Sequence, residues 1–309
     1  MLLSFAALLA TSCQDLLDAF EGLDDVLGSA PTGAVNGVFT INKDGGTVYF
    51  SKGNLQYQAS TKTWRFAENQ YDFVGDANKN IGEANSGWID LFGWATSGWD
   101  NGNFFFKPTD YTFVVNEFYL QFSSGYVYGP KGESVLSGEN ANADWGVYNA
   151  ISNGGKKAGL WRTLTFKEFE YILYNRNTDS KCLFAKAQVK EVNGLILFPD
   201  NWSNETVRIN KPGEENEEYS VNIISASDWT KLEKAGCVFL PASGQREYDI
   251  TSNTYISVNG VGNAGSYWTA NGDATESDAT CIYFDNGSLK AFAWERAYGR
   301  SVRLVQDIK

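Results

Sequence analysis

Polar and apolar residues alternate in short runs over the first part of the chain body. The segment from residue 36 to 67 contains four such runs, at 38–41, 47–51, 55–58 and 63–67, and Asp-Gly-Gly and Gly-Asn turns separate them. Successive side chains of a strand point to opposite faces, so each run has one face suited to a core. The pattern predicts a β-meander at the start of the body.

Two later segments change from the two-residue period of strands to the period of a helix. Thr165 precedes Glu168 by three positions, Ser225 precedes Asp228 by three, and apolar residues follow each pair at helical spacing. Such pairs cap the first turn of a helix by bonding its free backbone N–H groups. We therefore expect two short helices, the second closed by Gly236.

Composition supports a strand-rich class. The 309 residues include 31 Gly, only 6 Pro, and 10 Trp, 16 Tyr and 20 Phe, which favours many short strands joined by tight turns. No proline-rich or highly charged linker follows residue 36, so residues 36–309 are expected to form a single domain. The predicted fold class is α+β, a mixed and irregular β-rich domain with two short helices and long loops.

The segment KAFAWERAYGRSVRL near the C-terminus alternates large and small side chains. Large residues occupy one parity and mostly small residues, such as Ala291 and Ala293, occupy the other. We expect the small face to pack on another layer and the large face to point to solvent, where it would present Phe292, Trp294, Arg296, Tyr298 and Arg300. In the alternative, the large parity points inward with Val302 and Leu304, unless a bulge or turn near Gly299 changes faces.

Charge and residue types exclude several functions. The formal net charge of −12 disfavours nucleic acid, whose binding needs a basic surface. The chain has no histidine, which excludes His-based catalytic triads and His-containing zinc sites but leaves catalysis by paired carboxylates, Tyr or Lys open. We expect a protein that is not an enzyme and that needs no cofactor or metal. Structural calcium stays open, although no motif indicates it. Cys237 and Cys281 lie in apolar runs, either as buried thiols or as a disulfide.

The first residues indicate export. Residues 1–10 are apolar but too few to span a bilayer, and the following Leu-Ala-Thr-Ser-Cys resembles a bacterial lipobox. We expect a signal peptide at 1–12, lipidation of Cys13 and an acidic tether at 13–35. That tether is similar to surface-export signals of Bacteroidetes-type lipoproteins, which implies a lipid-anchored protein of the outer membrane or cell surface. An ordinary cleaved signal, a helix with a free thiol and a merely solvated spacer are the alternatives.

The order of motifs over about 145–305 resembles a known superfamily. The segments WRTLTFKEFEYIL, GCVFLPASGQR, GSYWTA and YGRSVRLV follow each other as they do in relatives of the formylglycine-generating enzymes. Those relatives include Fibrobacter-type major paralogous domains and the lectin-like variable proteins of diversity-generating retroelements. The resemblance implies a C-type-lectin-like core, here preceded by the meander.

The resemblance also implies where a ligand binds. In the variable relatives the last strands and their loops form the ligand surface, which here indicates a site for a glycan or a cell-surface protein at Trp268, Tyr283, Phe292, Trp294, Arg296, Tyr298 and Arg300. The superfamily's enzymes need a cysteine pair near the C-terminus, whereas only Cys281 lies beyond residue 240, and the calcium-binding motifs of true C-type lectins are absent. A degenerate enzyme of this superfamily and a structural or fimbrial component of the cell surface are the alternatives.

Overall fold

A computed structural model describes residues 30–99, 107–109, 129–203, 205, 207–247, 257–275 and 277–309. The expected signal peptide, Cys13 and most of the expected tether lie outside these residues. The last residues of that tether contact the body, because Lys52 donates its backbone N–H to the Gly33 carbonyl and Val35 is buried. Within the described ranges, no helix has the length and apolar character needed to cross a membrane.

The described residues form sixteen short strands and three α-helices. The strands are β1 (Phe39–Thr40), β2 (Thr47–Phe50), β3 (Leu55–Gln58), β4 (Thr63–Phe66), β5 (Trp88–Ile89), β6 (Arg162–Thr163), β7 (Phe184–Val189), β8 (Val192–Leu197), β9 (Ile223–Ile224), β10 (Val238–Pro241), β11 (Gln245–Glu247), β12 (Ser257–Asn259), β13 (Gly265–Gly272), β14 (Asp278–Phe284), β15 (Leu289–Glu295) and β16 (Leu304–Asp307). The α-helices are α1 (Trp145–Tyr148), α2 (Phe166–Glu170) and α3 (Ala226–Lys234). A π-helical turn, Tyr171–Asn175, continues α2, and 3-10 turns occur at Ala59–Thr61, Gly75–Lys79, Gly138–Ala143 and Tyr219–Val221.

The strands assemble into open sheets, so the mixed, strand-rich α+β class is confirmed. In the described ranges the sheet orders are β1-β2-β16-β6, β10-β8-β7-β9, β4-β3-β5, β13-β14-β15 and the pair β11-β12. Pairing within these sheets is antiparallel except between β7 and β9. Because β16 lies between β2 and β6, the end of the chain joins its first strands to its middle.

The four strands predicted in the first segment form at the expected positions, but they are not one meander. β1 pairs with β2 and β3 pairs with β4, whereas β2 continues to β16 and β3 continues to β5. Alternation identifies which residues form a strand but carries no information about a partner 250 residues away. The expected meander is therefore two hairpins in two different sheets.

Both predicted helix starts are confirmed. Thr165 and Glu168 form a reciprocal capping box at the start of α2. The Ser225 side chain accepts a hydrogen bond from the Asp228 backbone N–H at the start of α3, and Gly236 has the left-handed φ of +87° that ends this helix.

Two apolar clusters enclose the sheet β13-β14-β15. Tyr267, Ile282 and Phe284 face one cluster, which also holds the buried residues of β1 and β2. Trp268 and Cys281 face the second cluster, which is rich in tryptophan and includes Trp94, Trp145 and Trp161. β14 thus has buried residues on both faces, and the sheet is most exposed at β15.

Candidate functional site

The C-terminal alternating segment is not one strand. β15 ends at Glu295, and a turn closed by the Tyr298 N–H on the Glu295 carbonyl (3.1 Å) separates it from the residues that follow. The change of face considered near Gly299 therefore occurs in this turn. On β15 the expected burial of the small parity is wrong, because Ala291 and Ala293 are exposed, as are Lys290 and Trp294. β15 is therefore exposed on both faces over much of its length, with Leu289 alone buried.

Three rings form what we call the aromatic platform: Tyr283 on β14, and Phe292 and Trp294 on β15. Tyr283 pairs across the strands with Lys290, which places it on the same face as the even-numbered residues of β15. The ring centroids of Tyr283 and Phe292 are 5.8 Å apart, and those of Phe292 and Trp294 are 6.0 Å apart, both edge to face. Trp294 is 37% exposed, which leaves an indole face available at the margin of the sheet.

A buried arginine supports the platform from beneath. The Arg300 guanidinium carbon lies 5.0 Å from the centroid of the Trp294 ring and 5.2 Å from that of Trp268, so it occupies the space between an exposed indole and a buried one. Its Nη1 donates to Gln245 Oε1 (2.7 Å) and to the Ser266 hydroxyl. Within the described residues Nε and Nη2 have no hydrogen-bond partner, and burial lowers the pKa of Arg300.

Polar groups surround this arginine. Asn259 Nδ2 donates to Glu247 Oε2 (3.0 Å), and the side-chain amide of Gln245 donates to the other carboxylate oxygen. Burial raises the pKa of Glu295, and the Tyr298 hydroxyl bonds to this carboxylate. Burial and the bond to Asp285 Oδ2 (3.0 Å) raise the pKa of Tyr283 to about 12. The rim of the platform is therefore rich in hydrogen-bond acceptors and negative charge, with one positive charge from Lys290, whose ammonium nitrogen lies 4.6 Å from the centroid of the Phe292 ring.

Three of the seven predicted ligand residues are buried, which corrects their expected outward orientation. Trp268, Arg296 and Arg300 are each 1% exposed. Trp268 Nε1 donates to the Phe92 carbonyl (2.7 Å), so this indole is part of the core. Arg296 donates to the backbone carbonyls of Asp278 (2.6 Å), Pro130 (2.5 Å) and Gly132 (2.9 Å) and lies over Trp94.

The remaining four predicted residues stay at the surface. Trp294 is exposed, and Tyr283, Phe292 and Tyr298 are half-buried. Arg300 still belongs to the site as a support, although it does not present itself to solvent.

Sequence reasoning missed the polar residues from β11 and β12. Gln245, Glu247 and Asn259 lie about 25 to 50 positions before the platform residues. The pairing of β11 with β12 brings Gln245 and Asn259 together, and both donate to the Glu247 carboxylate. The parity that Gln245 shares with Glu247 was the available signal, since both point to one face of a strand. The spacing of Gln245 and Glu247 does not indicate that Gln245 accepts a hydrogen bond from Arg300.

The cysteines contribute no reactive thiol to this face. Cys182, Cys237 and Cys281 are free and buried, so the open choice between thiol and disulfide for Cys237 and Cys281 is settled as two thiols. Burial raises the pKa of Cys281, which keeps it protonated beneath the platform. In the part of the chain that the structure describes, no group of three or more His, Cys, Asp or Glu side chains could hold a metal ion.

Comparison of this chain with protein-family models, with curated proteins and with solved structures gives no match.

Proposed function

We propose that this chain is a non-enzymatic binding protein that recognises a glycan at the aromatic platform. The observation that carries the proposal is the exposed Trp294 indole, held against Phe292 on one side and against the buried Arg300 guanidinium beneath. A fixed aromatic ring offers contact area at a low cost in conformational entropy, because little side-chain freedom is left to lose on binding.

The chemistry of the rim favours a neutral sugar. A pyranose has an apolar C–H face, which packs on an aromatic ring, and hydroxyl groups, which donate to carboxylates and amides. Glu247 and Glu295 supply the acceptors beside the platform. These carboxylates and the net charge of −12 repel an acidic sugar, so a neutral hexose unit fits better.

The protonated Cys281 supports binding rather than catalysis, since a thiol without thiolate character is a poor nucleophile and a poor redox centre. We further propose a C-type-lectin-like core in a protein anchored to the outer membrane or cell surface through lipidated Cys13. The capped helix α2, followed by α3 and the late strands, supports that core because the superfamily motifs occur in this order.

The test is a glycan array followed by titration calorimetry, with the purified full chain and neutral oligosaccharides. We expect Trp294→Ala to weaken binding of a positive glycan at least tenfold, the effect typical of an aromatic anchor. Tyr148→Ala is the matched control, because Tyr148 is also an exposed aromatic, at 43%, but lies on α1. Equal affinity of the Trp294 variant and the wild type, or no neutral glycan bound by the wild type, would reject the proposal.

A further inference from the structure

The outer edge of β15 is a second surface that the proposed sugar site does not use. β15 pairs with β14 over all seven of its residues, and among the described strands it is the last of its sheet. Such an edge presents a row of backbone N–H and C=O groups that a further strand can bond. Edges are usually protected by proline, bulges or charges. In β15 the charged residues are Lys290 and Glu295, near its two ends, and Ala291 to Ala293 between them carry no charge.

A groove runs along this edge on the face opposite the platform. Its volume is about 350 Å³, and it lies between α2 with its π-helical continuation and the strands β14 and β15. Apolar side chains form much of its lining: Phe166, Leu173, Ile282, Leu289 and Ala291. Ala291 is small and exposed, so a side chain from an added strand has room to enter the groove above it.

The rim of the groove is acidic. Glu170 and Glu215 both line it, and a hydrogen bond from the Tyr174 hydroxyl to Glu215 holds that carboxylate beside the opening. Lys290 also lines the groove, but its ammonium nitrogen lies over the Phe292 ring on the platform face, 4.6 Å from the ring centroid. The two carboxylates favour a cationic partner, as does the net charge of the chain.

We propose that an extended peptide segment adds to β15 as a fourth strand, with apolar and basic side chains taking turns along the face that it directs to the groove. Its backbone bonds the outer edge of β15, one apolar side chain enters the groove above Ala291, and a Lys or Arg two residues away, on the same face, reaches Glu170 and Glu215. Strand addition of this kind takes its affinity from main-chain hydrogen bonds and its specificity from pockets for alternate side chains. The groove contacts do not involve the sugar site, because the groove and the platform lie on opposite faces of β15.

The probe is a nine-residue acetylated and amidated peptide, Thr-Val-Thr-Arg-Thr-Val-Thr-Arg-Thr, added to the full chain; as a strand it places Val and Arg in turn on one face. We expect saturable binding by calorimetry and slower hydrogen exchange of backbone amides within residues 289–295. Two control peptides test the mode: one has alternate amides N-methylated along one edge, and the other has Glu in place of each Arg. Both should bind at least tenfold more weakly. Equal binding of the N-methylated peptide would overturn strand addition.

Protein variants then locate the site. Ala291→Arg places a like charge and a long side chain over the groove, and we expect at least tenfold weaker peptide binding. Ala226→Arg, at an exposed alanine of α3, is the matched control and should bind as the wild type does. Glu170→Gln with Glu215→Gln should weaken binding about fivefold.

Ala291→Arg should leave the affinity for a neutral glycan unchanged, because Ala291 lies on the face of β15 opposite the platform, and this result separates the proposal from the sugar site. No protection at residues 289–295 with the wild-type probe would reject the proposal. Protection of these amides in the free protein that rises with its concentration would also reject it, since a second copy of the chain would then be the occupant.

Discussion

Two stretches of the same alternating segment have opposite environments. Residues 289–295 form β15, where one residue alone, Leu289, is buried. Residues 299–305 continue the sequence only four positions later, and every one of them is buried. Hydrophobic and charged residues occur in both stretches, and arginines occur only in the buried one. Residue type therefore does not explain the difference between them.

The number of neighbouring chain segments explains it. β15 has β14 on one side, whereas Gly299 exchanges backbone hydrogen bonds of 2.8 and 2.9 Å with Arg246 and Arg300 forms a bridge to Phe92. A Cβ at position 299 would lie 2.9 Å from that of Arg246, so glycine permits this close approach. Burial along the segment thus follows how many strands surround it.

The buried arginines remain compatible with the core because their N–H groups bond to fixed oxygens. Arg296 bonds to three backbone carbonyls, and Arg303 donates to Gln70 Oε1 (2.7 Å) and Asn54 Oδ1 (3.3 Å). Arg300 differs, since two of its nitrogens have no partner within the described residues and its plane lies between two indoles. Arg300 belongs to the buried stretch and contacts the exposed Trp294 ring of β15, so it links the two stretches.

The largest expected effect compares two tryptophans on one face of the C-terminal sheet. Trp268→Ala should lower the free energy of unfolding by about 3 to 5 kcal/mol, because it leaves a large cavity and removes the indole hydrogen bond to the Phe92 carbonyl. Trp294→Ala should cost about 1 kcal/mol, since that indole is partly solvated already. Urea denaturation measures both, and equal costs would show that β15 is as deeply packed as β13.

The second prediction concerns the pH dependence of stability at Asp90, a buried carboxyl group that interacts with Arg246. Burial raises the pKa of Asp90 to about 6, opposed by hydrogen bonds from Asn78 and Val74 and by the charge of Arg246. Tyr267 is a further titratable group that interacts with it. A raised carboxyl pKa adds stability that is complete below the unfolded-state value of about 3.9 and is lost as pH rises through about 6.

The wild type should therefore gain about 2 kcal/mol relative to Asp90→Asn when the pH falls from about 7.5 to about 4.5. Guanidinium denaturation of both proteins at the two pH values measures this difference. A constant difference between them would show that Asp90 has an ordinary pKa.

Arg300→Met separates stability from binding. The change removes a buried charge that has no carboxylate bond and replaces it with an apolar chain of similar length, so we expect the free energy of unfolding to change by about 1 kcal/mol or less. Trp294 loses its support, and sugar affinity should fall several-fold. Thermal denaturation and calorimetry give the two values, and a large loss of stability without a loss of affinity would contradict the supporting role.

The smallest effect contrasts two small residues on the two stretches. Ala293→Thr on exposed β15 should change stability by about 0.5 kcal/mol or less. Ser301→Val should cost more, about 1 to 3 kcal/mol, because the buried Ser301 hydroxyl bonds to that of Ser243 at 2.6 Å and the change leaves its partner unpaired. Similar costs in chemical denaturation would remove the distinction between the stretches.

Local features of the sequence predicted local structure well. The Thr165 and Glu168 pair identified α2, the Ser225 and Asp228 pair identified α3, and alternation located β2, β3 and β4 within a residue or so. Each of these signals depends on residues close together in the chain. The platform was predicted in part, since Trp294 and Phe292 are at the surface, whereas Arg300 is not.

The sequence by itself determined the α+β class, the helix starts, the strand positions and the absence of histidine chemistry. Only the tertiary structure decided which strands are neighbours, and so which side of the C-terminal segment is exposed. The physical reason is that a two-residue period predicts a strand with two different faces, but it does not predict which other segments of the chain pack on those faces. Most side chains of β15 are exposed, whereas residues 299–305, which contact several other segments of the chain, are buried.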